Sequence, residues 1–307
     1  MLFHFAAFVD SQTAECCNRN HHGGGLMFRL RVFKVAAVFF ATLLATHAFG
    51  ATKNGKFFDR AIIVIFENTN YLAAMKQPFF KQLADEGANF SNFLAVAHPS
   101  QGNYIALTSG SLNGVSGDGT YNIDVSNVVD LLEAKGLTWK VYAEDYPGKC
   151  FTGSQGNYVR KHNPFISYAD IQKNPARCAN IVNADQFAID STQGTLADYV
   201  FYIPNLKNDG HDTGVTYADK WYSSKFSAYI GDAKFMENTV LISTFDESGL
   251  SSKNQIYTSI VGPAVVAKDF PDSLGICSLL KLIEENWSLG NLGKSDASAA
   301  AIPNIWR

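Results

Sequence analysis

The sequence predicts an α/β fold in which a doubly wound, mostly parallel sheet carries helices on both faces. Three observations support this class. Short apolar runs rich in β-branched residues are typical of buried strands, amphipathic segments typical of helices separate them, and the two kinds alternate along the chain. We find no internal repeat and no low-complexity linker.

The first half of the chain begins with an apolar run over residues 62–66, which predicts a central strand buried on both faces. A helix is expected over residues 71–87. Ser126 is the expected N-cap of a second amphipathic helix that ends at Gly136, and a strand follows over residues 138–143.

The second half repeats this order of elements. Residues 199–203 and 238–245 are predicted strands, and the segment 216–233 between them is a predicted helix. Residues 255–264 predict an edge strand, and residues 273–287 a closing helix. The one excursion from this alternation is the loop-rich stretch from Cys150 to Asn183.

The first 50 of the 307 residues have the features of targeting sequence. Residues 1–26 do not resemble a secretory leader and are interpreted as a doubtful upstream extension before Met27. Residues 27–50 predict a signal peptide, because a basic segment precedes an apolar run over residues 35–45 and cleavage after Gly50 suits the small residues there. A membrane anchor is the alternative, but the run falls short of the ~20 residues that span a bilayer. Residues 51–307 are then expected to form a single catalytic domain.

The composition argues against one class of binding partner. A formal net charge of -3 and a pI near 6.2 give no basic surface of the kind that nucleic-acid binders show, so no nucleic-acid partner is expected. The predicted leader indicates a secreted protein without stable membrane insertion. Secreted proteins fold in an oxidising compartment, so Cys150 and Cys178 are candidates for a disulfide.

Polar side chains follow two of the predicted strands, at the point where each strand ends. Glu67 and Asn68 follow the first strand, and Asp246 and Glu247 follow the strand at 238–245. Taken singly, the first pair could be a helix cap and the second a solvated turn. Because the carboxyl ends of parallel strands meet at one rim of the sheet, the two pairs together predict a cation site.

Ser100 precedes a segment, residues 103–109, that can start a helix. A Ser at that position is most often only a helix cap. The alternative is chemical, because free backbone N–H groups at a helix start attract phosphate, and a hydroxyl placed there is directed at phosphorus. A divalent cation can lower the pKa of such a hydroxyl.

Four motifs in this order, "FENTNY", "HPSQGNYIALTSG", "PNLKNDGHDT" and "TFDES", resemble the phosphoesterase family of secreted acid phosphatases. That family also includes bacterial phospholipase C enzymes and belongs to the alkaline phosphatase superfamily. The resemblance covers nearly all of residues 59–306, and it implies an alkaline-phosphatase-like α/β fold.

The resemblance also implies roles for individual residues. Ser100 would be the nucleophile that forms a phosphoserine, and Asn103 would bind a phosphoryl oxygen. His211 would contact the phosphate or protonate the leaving group, with Asp212 beside it, whereas His98 could equally pack or bond locally. The implied metal ligands are Glu67, Asn68, Asp246 and Glu247.

These ligands suit one divalent cation such as Mg²⁺, Ca²⁺ or Mn²⁺, although Zn²⁺ or Fe also fits. The expected activity is that of a secreted, metal-dependent acid phosphatase acting on a small phosphorylated substrate. One alternative is a phosphodiesterase or phospholipase C, which the lack of a His soon after Asp246-Glu247 disfavours. The other is a non-catalytic secreted phosphate-binding protein. Oligomeric state is left open.

Overall fold

The computed structural model describes residues 55–249 and 253–307. The predicted signal peptide and the upstream extension lie outside the described residues. Within the two described ranges, no helix combines the length and the apolar character needed to cross a bilayer. The side chains of these ranges share one large hydrophobic core around a central sheet.

The strands among the described residues are short at the margins of the fold and longest at its centre. They are β1 (Arg60–Phe66), β2 (Ala88–Phe90), β3 (Phe93–Leu94), β4 (Trp139–Ala143), β5 (Ile181–Asn183), β6 (Tyr199–Ile203), β7 (Thr239–Phe245), β8 (Gln255–Ile256), β9 (Thr258–Val261), β10 (Lys268–Phe270) and β11 (Leu274–Gly275).

The helices range from single turns to four turns. They are α1 (Tyr71–Ala74), α2 (Pro78–Glu86), α3 (Gln101–Ser109), α4 (Val128–Ala134), α5 (Ala169–Gln172), α6 (Pro175–Cys178), α7 (Gln186–Gln193), α8 (Val215–Ile230), α9 (Ile276–Trp287) and α10 (Ser295–Ser298), with short 3₁₀ turns at Arg160–His162 and Phe165–Ser167.

A mixed eight-stranded sheet of order β10-β2-β9-β7-β1-β6-β4-β5 forms the centre of the fold. Its neighbouring strands are parallel, except that β9 runs antiparallel to both β7 and β2. Except for Arg60, every residue of β1, β6 and β7 is buried, so both faces of the central strands are covered. The predicted α/β class is confirmed.

Two helix predictions are wrong in detail. The helix expected over residues 71–87 is split into α1 and α2 because Pro78 lacks a backbone N–H and disfavours helical backbone at the preceding residue, where ψ is 137°. The N-cap of α4 is Asn127 rather than Ser126. The Asn127 side chain accepts a hydrogen bond from the Val129 N–H, and Asp130 completes a capping box.

The predicted edge strand over residues 255–264 is also wrong. The segment divides into β8, which pairs with β3 in a small three-stranded sheet, and β9, which lies between β7 and β2 inside the main sheet. Its apolar, β-branched sequence fits this internal position, because all four residues of β9 are buried.

The stretch from Cys150 to Asn183 is part of the fold rather than a separate excursion. Its last residues form β5, the edge strand beside β4. The predicted disulfide between Cys150 and Cys178 is present and closes a separation of 28 residues. The bridge therefore ties both ends of a segment whose middle, the 3₁₀ turn Arg160–His162, reaches the rim of the sheet.

Candidate active site

The parallel pairing of β1 and β7 places the predicted carboxylates side by side. The two strands pair in register from Arg60 with Thr239 to Phe66 with Phe245, so Glu67 and Asp246 leave the sheet at the same level. The Asp246 N–H donates to the Phe66 carbonyl at 2.9 Å, and the Asn68 N–H donates to Asp246 Oδ1 at 3.2 Å. Sheet geometry therefore produces the cluster that the two strand-end motifs predict.

Ser100 lies at the start of α3, but its hydroxyl does not cap that helix. Instead its Oγ is 3.0 Å from Glu67 Oε2 and 3.0 Å from Glu247 Oε1. The side chain is 1% exposed. The hydroxyl therefore faces two carboxylate oxygens rather than the N–H groups of its own helix.

We call Glu67, Asp246 and Glu247 the carboxylate side of the site. One oxygen from each lies within 4.8 Å of the others, and all three residues are buried. Burial and the neighbouring carboxylates raise the pKa of Asp246 well above its usual value, and burial also raises the pKa of Glu247. Asp246 Oδ2 has no hydrogen-bond partner among the described residues.

The carboxylate side fits a divalent cation. Three buried acidic groups meet there, Asp246 Oδ2 has no hydrogen-bond partner among the described residues, and carboxylate oxygens are the ligands that hard cations prefer. Asn68 is exposed and its Nδ2 donates to Glu67 Oε2 at 3.3 Å. The fourth predicted ligand is therefore adjacent to the cluster.

On its other side, Glu67 contacts a buried histidine. We call Glu67, His162 and Asp209 the imidazole side. His162 Nε2 is 3.0 Å from Glu67 Oε1, and His162 Nδ1 is 3.1 Å from Asp209 Oδ2. Both ring nitrogens therefore face carboxylate oxygens, and the three residues form a buried cluster that could itself hold a metal ion.

The imidazole side places one positive charge between two acidic groups. Burial lowers the pKa of His162, but the charges of Glu67 and Asp209 outweigh burial and raise that pKa to about 9. Burial would raise the pKa of Glu67, yet His162 and hydrogen bonds from His162 and Tyr104 lower it. Burial raises the pKa of Asp209 to about 6. An imidazolium between two acidic groups is thus the stable state.

Tyr104 completes the surroundings of Glu67. Its hydroxyl donates to Glu67 Oε1 at 2.6 Å, and its ring stacks on His162 at a centroid distance of 5.2 Å. The two oxygens of Glu67 therefore divide the site, with Oε1 facing His162 and Tyr104 and Oε2 facing Ser100.

The sequence does not predict three residues of this site, and the reason differs for each of them: His162, Asp209 and Tyr104. His162 comes from the irregular segment between the two cysteines, where no periodic pattern indicates which side chain points inward. Asp209 lies in the same "NDGHD" loop as His211, and Tyr104 lies four residues after Ser100 on α3. The i, i+4 spacing on a helix was a usable signal for Tyr104.

The structure places the other predicted site residues at the margins of this cluster. His98 Nδ1 contacts Glu247 Oε2 in a close ion pair. His211 is partly exposed, and its Nδ1 is 2.8 Å from Asp212 Oδ1, while the His211 and His162 rings are 5.8 Å apart. His98 thus contacts the carboxylate side, and His211 lies above the imidazole side.

The Asn103 side chain is hydrogen-bonded to the backbone of the loop that precedes α3. Its Oδ1 accepts hydrogen bonds from the N–H groups of Val96 and Ala97, each at 2.9 Å, and its Nδ2 donates to the Ala97 carbonyl. The side chain is fully buried. Asn103 therefore fixes the loop that leads into Ser100, and its predicted contact with a phosphoryl oxygen stays a prediction.

Comparison with known proteins identifies the family. The sequence profile of the Phosphoesterase family matches residues 45–290. A probable acid phosphatase of Kluyveromyces lactis is 34% identical over 265 residues, which cover 80% of this chain and 62% of that protein. A phosphatidylinositol-3-phosphatase of Mycobacterium tuberculosis is 30% identical over 289 residues, 90% of this chain and 94% of the relative. The chain belongs to the phosphoesterase family.

The fold comparison agrees. A solved structure from Vibrio parahaemolyticus in the alkaline phosphatase superfamily superposes with a TM-score of 0.57 at 13% identity, covering 81% of this chain and 72% of that one. This likeness supports the fold alone. The chain spans about three fifths of the length of the acid phosphatase it matches in Kluyveromyces lactis.

Proposed function

We propose that this member of the phosphoesterase family is a secreted, metal-dependent phosphomonoesterase that works through a phosphoserine at Ser100. The observation that carries the proposal is the position of the Ser100 hydroxyl, 3.0 Å from both Glu67 and Glu247, at the start of α3. Relatives that are named acid phosphatases support a phosphate-ester hydrolase.

The carboxylate side holds the metal in this proposal. Glu67, Asp246 and Glu247 are the ligands, with Asn68 beside them. A bound divalent cation supplies a lowered pKa for a coordinated hydroxyl and polarisation of a phosphoryl oxygen. The orphaned Oδ2 of Asp246 and the raised pKa of that carboxyl support this assignment.

The first chemical step is transfer of the phosphoryl group to the protein. Ser100 Oγ attacks phosphorus while its proton passes to Glu247, and the bond from phosphorus to the leaving-group oxygen breaks as that oxygen takes a proton from His211. In the second step water attacks the phosphoserine and gives one proton back to His211. Ser100 Oγ takes back the proton held on Glu247, and inorganic phosphate is released.

In this proposal the imidazole side orients Glu67, the residue that it shares with the carboxylate side. Because His162 is engaged by Glu67 and Asp209 on both ring nitrogens, it orients the carboxylate that Ser100 contacts. His211, which is partly open to solvent and is supported by Asp212, is the residue we assign to the leaving group or to the phosphate. His98 supports Glu247 in the same manner.

Secretion is part of the proposal. The basic segment and apolar run of residues 27–50 predict a signal peptide, and the disulfide between Cys150 and Cys178 is typical of proteins that fold in an oxidising compartment. A small phosphorylated molecule is the substrate class that we assign.

The test is direct trapping of the intermediate. Purified protein is mixed with phosphate-labelled para-nitrophenyl phosphate, quenched in acid and mapped by peptide mass spectrometry. We expect the label on Ser100, and we expect Ser100→Ala to lower turnover by roughly 10⁴ to 10⁶ fold.

The matched control lies at the other end of the same helix. Ser109 is buried and donates to the Ile105 carbonyl at 2.7 Å, so Ser109→Ala removes a buried α3 hydroxyl without touching the site. Label on another residue, or near-normal turnover by Ser100→Ala, would reject the phosphoserine and favour direct attack by water. Binding of phosphate without any turnover would instead support the non-catalytic alternative.

A further inference from the structure

The ammonium group of Lys161 lies at the rim of the site and has no role in the chemical steps proposed above. Lys161 directly precedes His162, and its Nζ lies 2.8 Å from Asp118 Oδ2 and 3.4 Å from His211 Nε2. Its side chain is 21% exposed. Its charge acts on Glu67, whose pKa it helps to lower, so the ammonium lies within electrostatic reach of the carboxylates.

Lys161 is anchored to the helix that carries Ser100. Asp118 Oδ2 accepts from Lys161, while Asp118 Oδ1 accepts from the Gln101 N–H at 3.1 Å. The Gln101 side chain in turn accepts from the Gly119 N–H at 2.7 Å. Since Gln101 follows Ser100, this chain of contacts fixes the ammonium relative to the start of α3.

The neighbouring cation has a different use. Arg160 donates to the carbonyls of Thr152 and Tyr121 and to Asn122, so its guanidinium holds loops together. Among the residues that the structure describes, Lys161 has two polar contacts, and an ammonium has three N–H donors. A third donor, beside a partly open histidine, is therefore available to an arriving anion.

We propose that Lys161 binds a non-bridging phosphoryl oxygen of the substrate and thereby makes the site prefer phosphate monoesters to diesters, an inference that rests on the proposed phosphatase function. A monoester carries close to two negative charges near neutral pH, and the carboxylate and imidazole sides already contain several acidic groups. A fixed ammonium offsets the repulsion that such a dianion meets.

The preference follows from what a diester lacks. In a diester one of the oxygens that could face Lys161 carries a second organic group, and only one negative charge remains. The ammonium would then be desolvated without a strong partner, which disfavours binding. Lys161 therefore distinguishes the two substrate classes, whereas Ser100 and the carboxylate side act on both.

The experiment compares the two substrate classes in matched variants. Lys161→Met keeps the length of the side chain and removes the charge, Lys161→Arg restores a cation, and Lys234→Met removes an exposed charge from the segment that precedes β7. We measure kcat/KM for para-nitrophenyl phosphate and for bis-para-nitrophenyl phosphate, together with binding of inorganic phosphate by calorimetry.

Lys161→Met should lower kcat/KM for the monoester by roughly 10 to 100-fold and weaken phosphate binding by the same factor. It should change kcat/KM for the diester by less than about threefold. Lys161→Arg should recover part of the loss, and Lys234→Met should leave both substrates unchanged.

Equal losses on both esters, or unchanged phosphate binding, would overturn the assignment of Lys161 while leaving the phosphatase function in place. A wild-type protein that cleaves neither ester would contradict the proposed function. In that case the calorimetric comparison alone decides whether Lys161 binds phosphate.

Discussion

The two sides of Glu67 contrast in how their charges are balanced. On the imidazole side, His162 lies between Glu67 and Asp209 at 3.0 and 3.1 Å, and its pKa is raised to about 9. On the carboxylate side, Asp246 Oδ2 has no partner among the described residues, and the pKa of Asp246 is raised by burial and by the charges of Glu67 and Glu247.

The carboxylate side is therefore the side that needs a bound cation. The imidazolium already supplies the positive charge that the imidazole side requires, and both of its nitrogens are occupied. On the carboxylate side the exposed imidazole of His98 contacts Glu247, but Asp246 has no ion-pair partner among the described residues. We therefore expect one divalent ion, on the carboxylate side, even though each side contains three potential metal-binding residues.

Among the substitutions that distinguish the two sides of Glu67, Asp246→Asn should have the largest effect on activity. The substitution removes a ligand charge from the carboxylate side, and we expect loss of bound metal with a fall in kcat of roughly 10³-fold or more. The metal-free variant should be at least as stable as metal-free wild type, because one buried charge repulsion is gone. Metal analysis, turnover and urea unfolding check these expectations.

A matched control for this substitution is Asp219→Asn. Asp219 is a buried carboxyl that accepts hydrogen bonds from the N–H groups of Phe79 and Phe80 at the start of α2, away from the site. It should retain metal and activity. If Asp246→Asn also retained both, the carboxylate side would not be the metal site.

His162→Gln should lower stability and leave the metal bound, the reverse of Asp246→Asn. Two buried carboxyls lose their imidazolium, so the free energy of unfolding should fall by about 3 to 5 kcal/mol. Metal should stay bound, and kcat should fall only roughly 10 to 100-fold, because Glu67 loses an orienting partner rather than its place as a ligand. A variant that loses metal and keeps its stability would reverse the assignment of the two sides.

The pH dependence of stability is the smallest expected effect. The folded pKa of His162 is raised from 6.5 to about 9, so its contribution is complete below pH 6.5 and disappears as pH rises through about 9. The raised pKa of Asp246 acts in the same direction. Metal-stripped wild type should therefore lose stability over this range in urea unfolding, and His162→Gln should lose less. A gain in wild-type stability over the same range would contradict the imidazolium.

The sequence predicts the carboxylate side far better than the imidazole side. Glu67 and Asp246 follow strands whose apolar patterns are unambiguous, and parallel strands necessarily bring their carboxyl ends together. His162 reaches the site through a loop held by a disulfide and a 3₁₀ turn, for which no periodicity exists.

The errors in the fold have a related cause. The internal position of β9 was missed because an edge strand and an internal antiparallel strand share the same local pattern. The position of Ser100 has the same limit, since only the structure reveals that its hydroxyl contacts Glu67 and Glu247 instead of capping α3.

The most direct test of the account is a calorimetric titration of Mn²⁺ into metal-stripped protein, followed by an activity assay on the same samples. We predict one ion per chain for wild type and for His162→Gln, none at comparable affinity for Asp246→Asn, and turnover that rises with occupancy of that single site. Two ions per chain with one of them lost in His162→Gln, or full turnover without any bound metal, would contradict the account.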